Sequence, residues 1–387
     1  MFRAKSISLS FEFLRLMKPA DGTKSRDSNG SSAASDDGRP KEAIFGNVLG
    51  KAASRKRRIL EFGIRPFLLK RKIRHLSGPN QVHYGRDELL VICVVRNGEA
   101  YIDRFVEHYL ALGAKHLVFL DNGSEDDTVD LLCRVREATV LQSAVPYKKF
   151  ENTMKRYLAE RFSKRRWNLC ADIDELFAYP FSSRLSLRRF LGYLNANSYS
   201  AVAAQMLDMF PDGPLSALPE SEKAGLLESN PYYDISDIRK TEYCWSKRSN
   251  PAIKMHWGGI RKKAFGTDNG LTKTPLVLMD GNVRPFITWH HALGARMADI
   301  SCLLFHYPFL GGFRRKVEEA ARTGRYGFRV TDEYAAYKRG LDRYPELSLR
   351  TDTAQRFSGL ERLIEDGFLI VSRPYLDWVK RETSSRE

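Results

Sequence analysis

The stretch from Trp167 to Pro180, WNLCADIDELFAYP, joins a short apolar run to three carboxylates, Asp172, Asp174 and Glu175. The apolar part lies between a basic cluster and a proline, which predicts a short buried strand over Trp167–Ile173. The carboxylates would then lie at the carboxyl end of that strand, the edge at which open α/β sheets bind their ligands. In an extended chain, Asp172 and Asp174 point to the same side and could face one ligand.

Asp172 and Asp174 are candidate metal ligands for that reason. Two carboxylates this close repel each other unless a cation or a proton lies between them. Hard oxygen ligands suit Mg²⁺ or Mn²⁺, particularly when the phosphates of a substrate complete the coordination shell. The same residue types also suit a solvated turn or the first turn of a helix, so a structural role is the alternative.

Alternating strand and helix patterns come before this stretch. Leu89–Val95 is a continuous apolar and β-branched run, which is typical of a strand covered on both faces. Strands are also predicted at His116–Leu120 and Val140–Leu141, and helices at Ala100–Leu112 and Phe150–Ser163. Strands that alternate with helices through short connections indicate a parallel sheet with right-handed crossovers.

Polar side chains follow three of these strands. They are grouped at Arg96–Glu99, Asp121–Ser124 and Asp172–Glu175. If the strands are parallel, the three groups share one rim of the sheet. The Asn-Gly pairs in the first two groups are also good turn formers, and Asp121 could simply cap the next helix.

The overall composition is that of a globular protein. The chain has 387 residues, of which 43% are hydrophobic, enough for a sizeable core. No apolar run reaches the ~18 residues of a membrane span, and the amino terminus lacks the order of a secretory signal, so we expect a cytoplasmic protein. The five cysteines are widely spaced and lack a CxxC pair, which indicates reduced core residues.

Part of the net charge of +16 is concentrated at 51–76, where basic residues are interleaved with apolar ones. Such a segment could lie on an anionic membrane surface, act as a solvated linker or bind nucleic acid. Nucleic acid is the least favoured of the three because no nucleic-acid-binding module accompanies the charge. We therefore predict a disordered region at 1–50, a basic amphipathic linker at 51–86 and a folded domain at 87–380.

The strand-end motifs resemble those of the family-2-like glycosyltransferases. The resemblance is to the bacterial branch whose first strand ends in Arg-Asn-Glu and whose later strand carries Trp-x-x-x-x-Asp-x-Asp-Glu. The matching residues are Val94–Asn97 with Glu99, Leu120–Ser124 with Asp127 and Thr128, and Trp167–Phe177. Gly98 intervenes where the family has Asn followed directly by Glu, so Asn97 is a safer assignment than Glu99.

The resemblance implies an α/β fold of the GT-A type, a Rossmann-like, mostly parallel sheet flanked by helices, with a C-terminal helical extension. It implies that the protein moves a sugar, with inversion, from a nucleoside-diphosphate sugar to a hydroxyl of a carbohydrate or lipid-linked acceptor, as in surface polysaccharide or lipopolysaccharide assembly. The donor would bind at Arg96, Asn97, Glu99, Asp121 and Asp172, and Mn²⁺ or Mg²⁺ at Asp172 and Asp174. The alternatives are a sugar nucleotidyltransferase and a non-enzymatic basic protein that docks on a membrane or nucleic acid.

The second half of the chain supplies candidates for the remaining roles. An inverting transferase needs a carboxylate that takes the proton of the acceptor hydroxyl, and Asp208 and Asp212 follow a predicted strand of small residues. The sequence around Asp212 is also a strong turn signal. By the resemblance a histidine completes the metal site; His291 and His306 are the candidates, and a role in the core is the alternative for each. The basic and aromatic residues of Phe313–Leu341 would cover the acceptor site or stabilise the domain.

Overall fold

A computed structural model describes residues 59–218, 225–245, 250–286, 291–327 and 329–384. The region 1–50, predicted to be disordered, and the start of the basic segment, 51–58, lie outside the described residues. The chain divides into two compact units, Met1–Ile64 and Arg65–Glu387. In the described part of the first unit, Leu60–Ile64 forms one turn of π-helix with Leu60, Phe62 and Ile64 exposed.

The second unit is an α/β fold. In its described residues the strands are β1 (Arg74–Ser77), β2 (Leu89–Val95), β3 (His116–Asp121), β4 (Ala138–Gln142), β5 (Trp167–Cys170), β6 (Glu175–Ala178), β7 (Ala201–Asp208), β8 (Tyr232–Tyr233), β9 (Ile238–Glu242), β10 (Lys254–Gly258), β11 (Thr272–Leu278), β12 (Met297–His306) and β13 (Gln355–Arg356). The helices are α1 (Arg65–Arg71), α2 (Glu99–Leu112), α3 (Thr128–Cys133), α4 (Tyr147–Phe162), α5 (Leu187–Ala196), α6 (Leu226–Ser229), α7 (Ile260–Phe265), α8 (Phe313–Thr323), α9 (Arg329–Arg343), α10 (Leu360–Glu365) and α11 (Arg373–Ser384).

Nine of the described strands form one sheet in the order β1-β4-β3-β2-β5-β11-β7-β12-β6. β2 is parallel to β3 and β5, β3 is parallel to β4, and β7 is parallel to β12. β11 is antiparallel to both β5 and β7, so β7 and β12 point the same way as β2 to β5. Only β1, β6 and β11 among the nine run in the other direction. The predicted fold class, a mostly parallel sheet, is confirmed and is consistent with a Rossmann-like nucleotide-sugar-binding fold.

Helices cover both faces of this sheet. Alternate residues of β2 belong to different cores: Leu89 and Val91 share one with α2, α5 and α11, and Leu90 and Ile92 share the other with α1 and α4. All residues of β2 are buried, as its continuous apolar sequence predicts. A third apolar cluster joins α7, α8 and α9. None of the described helices is long and apolar enough to cross a membrane.

The folded unit begins before the predicted boundary at Asp87. β1 pairs antiparallel with β4 and forms one edge of the sheet. Leu69 in α1 is fully buried, and the Tyr84 hydroxyl donates a hydrogen bond to the carbonyl of Trp167 at 3.1 Å. Residues 65–86, predicted as linker, therefore belong to the folded unit. The short edge strand is hard to recognise in the sequence because only a few apolar residues are set among many basic ones.

The strand predicted at Trp167–Ile173 is shorter than expected. β5 ends at Cys170, and the Glu175 N–H donates to the carbonyl of Asp172 at 2.9 Å to close a turn. Glu175 then begins β6, which lies at the far edge of the sheet from β1. Asp172 and Asp174 therefore lie in a turn, and the expectation that this part of the chain is extended is wrong. That both face one ligand stays a prediction.

Candidate functional site

The carboxyl ends of the parallel strands meet at one rim of the sheet, which carries most of the predicted site residues. Asp121 ends β3 beside the end of β2, and β5 ends beside β2 on the other side. His306 at the end of β12 is directly opposite both Asp208 and Glu175. Because β11 runs against its neighbours, it starts at this rim with Lys273 near its beginning. The three polar groups that follow β2, β3 and β5 thus share one rim.

The loops after β2 and β3 are held together by hydrogen bonds. The Asn97 Oδ1 accepts from the Glu125 N–H at 2.9 Å, and the Asn97 N–H donates to the Ser124 Oγ at 2.9 Å. The Gly98 N–H donates to the Thr128 Oγ1 at 2.7 Å. Asn97 has φ of 51°, in the left-handed region that Asn adopts more readily than most residues. Asn97 therefore forms a turn, the structural role that its Asn-Gly sequence favours.

Gly98 lies where this loop meets the turn after β5. A Cβ at Gly98 would lie 2.6 Å from the Val95 Cγ2 and 3.2 Å from the Ile173 Cγ1, so the close approach of the two loops needs glycine. Glu99 follows as the exposed first residue of α2, and its N–H donates to the Asp126 carboxylate at 3.2 Å. Gly98 thus lies where the first polar group approaches the turn that holds Asp172 and Asp174.

Asp121 is fully buried, and its carboxylate is used by the turn that follows β3. Its oxygens accept from the N–H groups of Gly123 at 3.1 Å and Ser124 at 3.0 Å, and from the Gln142 side chain at 3.0 Å. These contacts close a turn after β3. They do not cap the next helix, which was the structural alternative for Asp121, because α3 begins only at Thr128. Nothing in this geometry tests a contact with a nucleotide, which stays a prediction.

Asp172 is bound by two lysines from other parts of the chain. Its Oδ1 lies 3.0 Å from the ammonium of Lys155 in α4, and its Oδ2 lies 2.9 Å from that of Lys273 in β11. Lys273 also binds Glu175, and Lys155 lies 3.2 Å from Glu151 one turn earlier in α4. A small cavity among these side chains has room for about one water molecule. The carboxylates predicted to face a metal ion here face ammonium groups.

The charges of this cluster stabilise one another. Burial raises the pKa of Asp172, but Lys155 and Lys273 outweigh that effect and hold the pKa well below its ordinary value. Burial alone would lower the pKa of Lys155. The negative charge of Asp172, together with other neighbouring groups, outweighs burial and raises that pKa well above its usual range. Burial likewise opposes the charged form of Lys273, and Asp172 and Glu175 raise its pKa overall. All three groups are therefore ionised at neutral pH.

Asp174 begins a second chain of polar contacts, which does not include the two lysines. Its Oδ2 lies 3.3 Å from the ammonium of Lys316 in α8 and 3.8 Å from the His306 Nε2. The other ring nitrogen of His306, Nδ1, lies 2.6 Å from the Asp208 Oδ1. Asp208 in turn accepts from the Arg261 Nε at 2.8 Å. Asp174, His306 and Asp208 thus form one continuous network at the rim.

The two candidates for the catalytic base have different surroundings. Asp208 is buried; burial raises its pKa, but Arg261 and His306 outweigh that effect and lower it overall. Asp212 is exposed, and its carboxylate binds Arg350 at 2.8 Å, with the Arg350 guanidinium 3.8 Å from the centre of the Tyr232 ring. The structure places Asp208 with the other predicted site residues, while Asp212 lies outside their network.

The residues predicted to bind a metal ion do not form one ligand set. Asp172 and Asp174 contact different cationic groups, and His291 stacks on Trp245 with ring centres 4.6 Å apart. Burial, with the charge of Lys273, lowers the pKa of His291 to about 3. Across the described ranges, no three His, Cys, Asp or Glu side chains are arranged to hold a metal ion. The Mn²⁺ or Mg²⁺ site stays a prediction. The predicted ligands, as they are arranged in the structure, do not fit such a site.

The segment from α8 to the residues before α9 lies across the rim. Arg325 donates to the Asn122 Oδ1 at 3.0 Å, and the Tyr326 ring lies edge-on to the Tyr147 ring at 5.9 Å. Lys316 reaches Asp174 from the same segment. The apolar contacts of α8 and α9 correspond to the stabilising role predicted for Phe313–Leu341. The other role, covering the acceptor site, stays a prediction.

The lysines of the site are what the sequence reasoning missed. Lys155 lies on the buried face of α4 among Met154, Leu158 and Ala159. Lys273 lies in the sequence TKTPLVL, whose residues are all buried in β11. A buried lysine needs an anionic partner, so a lysine inside an otherwise uncharged strand was a signal that could have been used.

A larger cavity, in the described part of the structure, lies apart from these networks. It has a volume of about 720 Å³ and is lined by residues that include Arg104, His108, Leu176, Leu226, Tyr307 and Phe357. None of the predicted site residues lines it. This cavity is therefore separate from the charged groups of the rim.

Comparisons with known proteins add little to this description. No family model matches the chain, and no curated protein matches it significantly. A crystal structure of UDP-glucose pyrophosphorylase complexed with UDP-glucose aligns with 73% of this chain and 97% of its own, with 7% identity and a TM-score of 0.25. A likeness at that score carries no argument about function.

Proposed function

We propose that the protein is a glycosyltransferase that uses a nucleoside-diphosphate sugar. The observation that carries the proposal is the rim itself, where the groups after β2, β3 and β5 meet the charged networks of Asp172 and Asp174. Ligands of open α/β sheets bind at such a rim. The strand-end motifs Arg96–Glu99, Asp121–Ser124 and Trp167–Phe177 support the assignment through their resemblance to family-2-like transferases.

The donor would lie over the loops after β2 and β3. In this proposal Arg96 and Asn97 contact the donor, and Asp121 fixes the shape of the loop that receives it. Asp172 and Glu99 are the further donor-binding predictions. The proposed steps do not involve Mn²⁺ or Mg²⁺, and nucleotide titration with and without Mn²⁺ measures whether a metal ion is required.

The acceptor hydroxyl would be activated from the side of Asp208. In the reaction the acceptor oxygen forms a bond to the anomeric carbon while the bond from that carbon to the diphosphate oxygen breaks. The nucleoside diphosphate leaves with that electron pair, and the acceptor proton passes to a base. We assign the base to the Asp208–His306 pair, because a carboxylate that orients a histidine is a recurrent arrangement for accepting a proton.

Calorimetric titration with UDP, GDP, CDP, ADP and dTDP tests the assignment, in Mn²⁺ and separately in EDTA, on the wild type and on Asp174→Ala. We expect one nucleotide to bind and the corresponding nucleotide sugar to be hydrolysed slowly. Asp208→Asn should lower that turnover by about 100-fold or more, whereas Asp212→Asn should leave it within about twofold. Failure of every nucleotide to bind in either condition would refute the assignment, and pyrophosphate release from a nucleoside triphosphate and a sugar 1-phosphate would identify a nucleotidyltransferase instead.

Contact with an anionic membrane through 51–76 is a separate part of the proposal. In the described residues of this segment, Phe67 and Leu68 are exposed, and basic side chains lie close to them in the sequence. Exposed apolar and basic side chains together favour an anionic interface. Co-sedimentation with phosphatidylserine vesicles, and not with neutral phosphatidylcholine vesicles, is the expected result; equal behaviour with both would contradict it.

A further inference from the structure

The positive groups at the rim are not all matched by carboxylates. Arg96 follows β2, with 26% of its side chain exposed. Its Nη2 lies 2.7 Å from Glu125 and 3.5 Å from Glu319. Its Nε is buried and has no hydrogen-bond partner among the described residues. A guanidinium with a buried and unused N–H can bind a further acceptor.

Arg325, in the residues that follow α8, lies near Arg96 at the rim. Its hydrogen bond goes to the neutral Asn122 side chain at 3.0 Å, and its guanidinium lies 5.6 Å from the centre of the Tyr147 ring. Within the described residues, no carboxylate lies within ion-pair distance of it. Burial, and then the positive charge of Arg96, lower the pKa of Arg325. The two guanidinium groups repel each other, the nearby Glu319 carboxylate offsets part of that repulsion, and a further anion between them would reduce it more.

Lys316 adds a third positive group on the same side. Its ammonium lies 3.3 Å from Asp174 and 5.9 Å from the centre of the Tyr101 ring, and 36% of the side chain is exposed. Lys316 and Arg325 belong to α8 and the residues directly after it, so one segment presents both groups. The lysines at Asp172 differ, because both are buried and already shared between carboxylates.

We propose that Arg96, Lys316 and Arg325 bind the diphosphate of the nucleotide donor and replace the divalent cation that the sequence motif predicts. The inference rests on the proposed transferase function. Guanidinium groups match phosphate oxygens with paired N–H donors, and an ammonium acts as a point charge. Their positive charge stabilises the nucleoside diphosphate as it leaves, which is the task of a metal ion in metal-dependent sites.

Two substitutions test the inference by calorimetry with the nucleotide that the wild type binds. Lys316→Met and Arg325→Met should each weaken binding by about tenfold or more, because each removes a charged group from the phosphates. Lys316→Arg keeps the charge and should retain more affinity than Lys316→Met. Arg322→Met is the matched control, since Arg322 is an exposed basic residue of the same helix, and it should change the affinity by less than about twofold.

The metal condition separates this inference from the transferase assignment. We expect the wild type to bind the nucleotide equally in EDTA and in Mn²⁺. Binding that requires Mn²⁺, or that is unaffected by both Lys316→Met and Arg325→Met, would overturn the inference and leave the transferase assignment standing. Absence of nucleotide binding in either condition would overturn both.

Discussion

Asp172 and Asp174 are separated by a single residue, yet their cationic partners differ in how far they are exposed to solvent. The Asp172 side chain is 32% exposed, and its partners Lys155 and Lys273 are only 3% and 9% exposed. At Asp174 the order is reversed, since the carboxylate is 13% exposed and Lys316 is 36% exposed. Asp172 therefore pairs with buried cations on its inner side, whereas Asp174 pairs on its outer side with a cation that a solute can reach.

The difference separates two buried cations, Lys155 and Lys273, from Lys316, a cation that a solute can reach. Two of the three N–H donors of each buried ammonium group are already used by carboxylates, and removing one such group leaves charges uncompensated in the interior. A partly exposed ammonium contributes little to stability and can exchange one anionic partner for another. We therefore expect substitution of a buried lysine at Asp172 to reduce mainly the stability. Substitution of Lys316 should reduce mainly nucleotide binding.

The largest effect is expected on the inner side, for Lys273→Met. The substitution leaves Glu175 and part of Asp172 without a cation in a buried place, and it should lower the free energy of unfolding by about 3–5 kcal/mol. Urea denaturation followed by circular dichroism measures the loss. Lys254→Met is the matched control, because Lys254 pairs with the exposed Glu242 and its loss should cost less than about 1 kcal/mol. Equal losses in the two variants would remove the distinction between inner and outer lysines.

The fold was predictable because its signals are local. The continuous apolar run of β2, the periodicity of α2 and the short connections between them are properties of adjacent residues, and the structure confirms each. Gly113 follows α2 with φ of 101°, the left-handed conformation in which glycine commonly ends a helix. The common rim then follows from parallel pairing, without knowledge of any side-chain contact.

The partners at the rim were not predictable in the same way. Lys273 and Asp172 are 101 residues apart, and Lys316 and Asp174 are 142 residues apart, so no local pattern pairs them. The turn that replaces the end of the predicted strand depends on a hydrogen bond from Glu175 and on where β6 joins the sheet. Asp172 and Asp174, which were predicted together as metal ligands, thus have separate partners that come from tertiary contacts.

Acidification is expected to have an intermediate effect on the stability of the fold. The pKa of Asp172 is lowered in the folded state, so its stabilisation is complete above the ordinary carboxyl pKa of about 3.9 and is lost as the pH falls through the lower folded value. The urea midpoint of the wild type should therefore be steady near neutral pH and fall below about pH 4. Asp172→Asn should be less stable at neutral pH and lose less of its stability on acidification. Parallel curves for the two proteins would show that Asp172 does not carry this pH dependence.

The smallest effect on stability is expected on the outer side, for Lys316→Met. The ammonium of Lys316 is partly exposed and pairs with one carboxylate, so the variant should lose less than about 1 kcal/mol of unfolding free energy in the same urea measurement. Methionine keeps the aliphatic length that packs beside Tyr101, and removes only the charge. A loss as large as that of Lys273→Met would mean that Asp174 depends on Lys316 as Asp172 depends on its buried lysines. The outer cation would then be a structural group, and the contrast between the two carboxylates would disappear.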